Sequence, residues 1–115
     1  MNRLKFDPNC DGNLWLTELP YAVNFTNNGY VNIYYLTELP AGTKFNNKGD
    51  VFLQYLTELP EGIEFNNEGY INLNGLNFEE LSYEQFMYIY PKLHPDKQTE
   101  LKWLLRQFKI KRILL

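Results

Sequence analysis

The pentapeptide LTELP stands three times in the chain, at 16–20, 36–40 and 56–60, each copy twenty residues after the last. Aligned on it, residues 16–75 divide into LTELPYAVNFTNNGYVNIYY, LTELPAGTKFNNKGDVFLQY and LTELPEGIEFNNEGYINLNG. A segment that returns at fixed spacing meets like surroundings each time, which is the condition for stacking similar units on one another. A unit of twenty residues cannot bury its own apolar side chains. Its stability must come from the units on either side.

The positions that recur assign the core. Leu16, Leu36, Leu56 and Leu76 form one apolar column, and Leu19, Leu39 and Leu59 a second. Phe25, Phe45 and Phe65 form an aromatic column in which offset stacking adds to burial. Val31, Val51 and Ile71, followed two residues on by Ile33, Leu53 and Leu73, alternate as a half-buried strand does. Pro20, Pro40 and Pro60 end the leucine run and turn the chain. Gly29, Gly49 and Gly69 stand before each strand, where positive φ or close approach between units calls for glycine. Asn27, Asn47 and Asn67 are placed to form a ladder that satisfies the backbone groups left over by the turn, and the Thr of LTELP to bond locally to its turn.

This pattern, L-T-E-L-P-x-x-x-x-F-x-N-x-G-x-(V/I)-x-(I/L), resembles short leucine-rich-repeat-like arrays of the LPxGxxFxNxGxVxL type found in bacterial and phage proteins. The resemblance covers residues 14–76. It implies an α+β repeat fold of three to four 20-residue coils carrying parallel strands, and a habit of binding proteins rather than an active site. The asparagine falls elsewhere than in the standard leucine-rich pattern, so a leucine-rich horseshoe and a β-solenoid with two strands per coil both remain open.

The ends of the array read differently from its middle. The expected organisation is one domain, with an N-terminal cap over 1–15, repeats over 16–76 and a helical cap over 77–115. DGNLWL resembles a shortened copy of GYVNIYYL, with Leu14 and Leu16 at the paired strand positions and Trp15 between them. Ser82 with Gln85 forms a capping box for a helix through YEQFMYIY that Pro91 closes. A second helix follows from HPDKQ, with Pro95 in its first turn and His94 at its start. Leu101, Leu104, Leu105, Phe108 and Ile113 fall on one side of it, the side expected to pack on the last coil.

Composition narrows the chemistry. One His and one Cys, His94 and Cys10, stand far apart, with no Gly-rich phosphate loop and no metal-ligand spacing, so neither an enzyme nor a cofactor or metal is expected. A lone cysteine cannot close an internal disulfide and suits a reducing, cytoplasmic setting. No apolar run is long enough to span a membrane, and no membrane partner is expected. Residues 1–90 hold four Lys/Arg against twelve Asp/Glu, a balance of −8, and residues 91–115 seven against two, a balance of +5. The chain is an acidic body with a basic tail.

Two surfaces follow as candidate sites. The first joins the outward strand positions, which vary between copies, to the acidic column: Trp15, Tyr30, Tyr34, Asp50, Phe52 and Tyr70 with Glu18, Glu38 and Glu58. Variation on a fixed frame suits recognition of another protein, and exposed aromatics are typical anchors. Stacked glutamates about 5 Å apart repel one another and suit a basic partner surface. The second surface, Lys102, Arg106, Lys109, Lys111 and Arg112, suits RNA or DNA phosphates, although a sequence pI near 5.1 argues against nucleic acid as the main partner. A homodimer is a third possibility. Taken with the resemblance to phage proteins, the expected function is a protein-binding module. Its concrete form is a phage or mobile-element inhibitor of the anti-CRISPR type, docking on a basic nucleic-acid-handling effector in the host cytoplasm.

Overall fold

The computed structural model describes residues 12–13, 19, 21–33 and 35–114 and shows an α+β protein with two parallel sheets and three α-helices. Two compact units divide the chain, the first ending at Leu76 and the second starting at Asn77.

In the first unit every strand is two residues long. They are β1 (Gly12–Asn13), β2 (Asn24–Phe25), β3 (Val31–Asn32), β4 (Lys44–Phe45), β5 (Val51–Phe52), β6 (Glu64–Phe65) and β7 (Ile71–Asn72). Odd-numbered strands form a four-stranded sheet in the order β1-β3-β5-β7, and even-numbered strands a three-stranded sheet in the order β2-β4-β6. Each 20-residue period therefore gives one strand to each sheet. From β2 and β3 onward, residue i pairs with residue i + 20: Phe25 with Phe45 and Phe45 with Phe65, Val31 with Val51 and Val51 with Ile71. The N-terminal strand breaks this spacing. Gly12 pairs with Val31 and Asn13 with Asn32, an offset of nineteen residues, while Leu14 and Leu16, expected at the paired strand positions, lie outside the described residues.

Like side chains stack because the register sets them in line. The rings of Phe25 and Phe45 lie 5.1 Å apart and those of Phe45 and Phe65 5.3 Å apart, almost parallel, and all three are buried. Val31, Ile33, Leu36, Val51, Leu53, Leu56, Ile71, Leu73 and Leu76 fill the rest of the core, and Leu19 and Leu39 are buried beside them, while Leu59 is half-buried. The asparagines bond the backbone of their own rung and of the one before. Asn47 Nδ2 donates to the carbonyls of Gly29 (3.0 Å) and Gly49 (3.1 Å), and Asn67 Nδ2 to those of Gly49 (3.1 Å) and Gly69 (3.0 Å). Thr57 does not bond its own turn. Its amide and hydroxyl both donate to the carbonyl of Thr37 across the rungs.

Two classes of glycine separate here. Gly49 has no positive φ. A Cβ on it would lie 2.7 Å from the backbone carbon of Gly29 and 2.7 Å from the amide of Tyr30, so it marks a close approach. Positive φ occurs instead at Gly42 (+83°) and Gly62 (+71°), in the turns after Pro40 and Pro60. The Pro40 turn is closed by the Thr43 amide donating to the Pro40 carbonyl.

The second unit begins with a 3-10 turn at Phe78–Glu80, capped by Asn77. Helix α1 (Tyr83–Ile89) starts with the full capping box, Ser82 Oγ accepting from the Gln85 amide and Gln85 Oε1 from the Ser82 amide. A further 3-10 turn at Tyr90–Lys92 holds Pro91 and so ends the α-helix. The single C-terminal helix expected from the sequence is two: α2 (Pro95–Glu100), capped by His94 Nδ1, and α3 (Lys102–Leu114). The break falls at Leu101, whose ψ of 8° leaves the helical range and whose side chain is buried. Phe86 stacks on Phe108 at 4.5 Å. Tyr90 donates its hydroxyl to the Gln98 carbonyl, tying the turn to α2. Leu104 is buried and Leu105 and Phe108 half-buried, but Ile113 is 81% exposed and does not belong to the inner side.

Candidate interaction face

The two sheets of the first unit present different surfaces. On the three-stranded sheet the outward side chains satisfy one another. Lys44 Nζ lies 3.3 Å from a Glu64 carboxylate oxygen, Asn66 Nδ2 donates to Asn46 Oδ1, and Asn46 Nδ2 donates to Asn24 Oδ1. The Asn66 hydrogen bond, followed by the Lys44 ammonium, holds the Glu64 carboxyl below its ordinary pKa. Such a surface has already spent its polar groups on itself.

The four-stranded sheet carries aromatics instead. Behind the buried Val31, Val51 and Ile71, the alternate residues Asn32, Phe52 and Asn72 are half-buried, not fully outward. Tyr30 and Tyr70, one residue before their strands, are 39% and 47% exposed, and Tyr30 meets Phe52 edge-on at 6.1 Å. Asp50, between them in register, accepts from the Tyr70 amide through Oδ1 at 2.7 Å. That carboxylate helps hold the rung. Four of the expected site residues, Tyr30, Asp50, Phe52 and Tyr70, are thus brought together. Glu38 and Glu58 are exposed on neighbouring rungs joined through Thr37 and Thr57, and neither has an ion-pair partner among the described residues. Trp15, Tyr34 and Glu18 lie outside the described residues.

The sequence reading missed Tyr35 and Tyr55, which are 50% and 49% exposed, and Tyr21 at 51%. The signal for the first two lay in the LTELP alignment. Trp15, Tyr35 and Tyr55 each immediately precede a copy of it and form one sequence column.

In the second unit, Lys102, Arg106, Lys109 and Lys111 are all exposed on α3, and the side chain of Arg112 is outside the described part. Glu79, Trp103, Leu104, Gln107, Phe108 and Lys111 line a pocket of about 190 Å³. That is below the roughly 300–1,000 Å³ typical of small-molecule sites. Among the described residues no three His, Cys, Asp or Glu side chains converge on a point that could hold a metal. Nor is any described helix long and apolar enough to cross a membrane. Comparison with known proteins returns no matching family model, no matching characterised protein and no matching solved structure.

Proposed function

We propose that this chain is a non-enzymatic protein-binding module: a short leucine-rich-repeat-like β-solenoid that docks on a partner through the aromatic face of its four-stranded sheet. One observation carries the reading. Tyr30 and Tyr70 stand on either side of Asp50 at one register position beside the four-stranded sheet, Phe52 meets Tyr30 edge-on, and Tyr35 and Tyr55 recur in the turns that follow β3 and β5, while the other sheet pairs its polar groups internally. Tyrosine supplies large contact area at low conformational cost, and such residues dominate binding energy when a partner covers them. One strand per period in each of two sheets favours the two-strand coil over the horseshoe.

Exposed Glu38 and Glu58 give the partner a sign. A basic surface, such as the nucleic-acid channel of a guided nuclease, meets both the aromatic and the acidic columns. A phage-encoded inhibitor of such an effector in the host cytoplasm is the concrete form of the proposal.

The test mixes the purified chain with an RNA-guided nuclease and measures target DNA binding. Loss of DNA binding, restored by Glu38→Lys with Glu58→Lys and by Tyr30→Ser with Tyr70→Ser, supports the reading. Unchanged DNA binding removes the inhibitor. A dimer by light scattering that the tyrosine substitutions dissociate makes the face a homomeric contact instead. RNA or DNA contact through Lys102, Arg106, Lys109 and Lys111 is the competing reading, favoured by their exposure on a helix without an acid. It requires a gel shift that survives the glutamate reversals.

A further inference from the structure

We infer that α3 is a surface-lying helix that binds anionic lipid bilayers through an apolar ridge flanked by basic side chains. The ridge is Trp103, Ile110 and Ile113, exposed by 51%, 50% and 81%. At 100° per residue Trp103 and Ile110 lie within about 20° of one another, on the side of the helix away from buried Leu101 and Leu104. The helix therefore has two apolar sides, one inside the protein and one uncovered. Ile113 lies at one edge of the ridge with Arg106 between it and Ile110, and Lys102 and Lys109 follow on the flank beyond. Lys111 stands on the other flank. No acid occurs anywhere in KWLLRQFKIKRIL.

Charge complementarity selects the occupant. Four exposed cations on α3, against Glu79 beside Trp103 and Lys111, disfavour both a basic partner and pairing with a second α3. They suit a polyanion, either a nucleic acid or an anionic membrane. The isoleucines decide between these. An exposed isoleucine can neither stack on a base nor bond a phosphate, and gains nothing from a nucleic acid. In a bilayer interface it is buried among acyl chains, tryptophan sits at headgroup level, and lysine and arginine extend their stems past the ridge to reach lipid phosphates. The lack of a spanning segment has no bearing on this mode. A helix lying in the surface needs a face, not a length of apolar chain.

The test uses the full chain carrying Trp15→Phe, so that Trp103 is the sole tryptophan. Vesicles of phosphatidylcholine alone are compared with phosphatidylcholine mixed with phosphatidylserine. Expected are co-sedimentation with the phosphatidylserine vesicles only, a blue shift of Trp103 emission, and release by salt. Each of Lys102→Gln and Lys109→Gln should lower affinity about fivefold. Ile110→Asn with Ile113→Asn, which keeps every charge and alters only exposed positions, should lower it at least about tenfold. Unfolding curves of that variant matching the parent confirm that binding alone has changed. The inference is overturned if phosphatidylserine vesicles fail to sediment the protein. It is equally overturned if the double isoleucine variant binds them undiminished, or if single-stranded RNA is bound with the same affinity by parent and variant while vesicles are not.

Discussion

Gly42 and Gly49 are seven residues apart and are glycine for unrelated reasons, and the difference can be measured. At Gly42 the backbone has φ +83°, while a Cβ there would meet nothing nearer than the Ala22 Cβ at 3.9 Å. The cost of Gly42→Ala is therefore conformational, about 1–2 kcal/mol. Asparagine tolerates the left-handed region, so Gly42→Asn should recover part of that loss. At Gly49 no positive φ is involved. The added Cβ would lie 2.7 Å from a backbone carbon and a backbone nitrogen of the previous rung, close to 1 Å inside the roughly 3.5 Å of ordinary contact. Backbone cannot rotate aside as a side chain does. The rungs must separate, weakening the Gly49 amide bond to the Gly29 carbonyl and the asparagine bonds beside it. Gly49→Ala should cost about 3 kcal/mol or more, the upper range of overpacking, and Gly49→Asn at least as much. With a urea m-value of about 1.5 kcal/mol/M, the Gly49→Ala midpoint falls by about 2 M and that of Gly42→Ala by about 1 M. Urea unfolding followed by circular dichroism reads both. If Gly49→Ala costs no more than Gly42→Ala, or if asparagine rescues position 49 as well as position 42, the separation into conformation and contact is wrong.

Further outcomes follow from single contacts. Asn47→Ala removes a donor shared by the Gly29 and Gly49 carbonyls and should cost about 2 kcal/mol, and Asn47→Asp, which turns an acceptor toward them, should cost more in the same unfolding assay. Ser82→Ala deletes the α1 cap and should lower stability by about 1 kcal/mol, with the loss confined by hydrogen exchange to Tyr83–Ile89. The Glu64 pKa is depressed in the folded state, so its contribution is present above the ordinary value of 4.5 and disappears as pH falls through the lowered folded value. Glu64→Gln should flatten the acid side of the stability profile in that window. Salt should weaken the Lys44 part and leave the Asn66 hydrogen bond.

The columns of Phe25, Phe45 and Phe65 and of Asn27, Asn47 and Asn67 were legible because a register of twenty places identical side chains in contact, so sequence spacing is spatial neighbourhood. The same rule exposed Tyr35 and Tyr55 once Trp15 was counted from LTELP. What could not be read depended on departures from that rule. β1 pairs at nineteen instead of twenty, set by a backbone ladder that leaves no side-chain pattern in a two-residue strand. Gly42 and Gly62 have Ala22 at the equivalent place in the first copy, which hid their left-handed turns. The break at Leu101 has no glycine or proline beside it, and the residue combines burial with a lost helical ψ that periodicity does not report. Ile113, nine residues after Leu104, stands half a helical turn from it and is exposed, so the apolar spacing that joined them in sequence does not join them on the helix.

The two-residue strands have a consequence for how such a chain can change length. Because β3, β5 and β7 and β2, β4 and β6 share one offset, excising 36–55 would join Tyr35 to Leu56, remove β4 and β5, and bring β6 against β2 and β7 against β3 in the same register. Insertion of a copied period would keep that register as well. Length is thus a variable that recombination can alter in whole steps of about 4.8 Å without redesigning any residue. An alteration of another size must be absorbed in a turn or it shifts the register across that junction, moving phenylalanine off phenylalanine there. The repeat acts as a reading frame in space, with twenty residues as its codon.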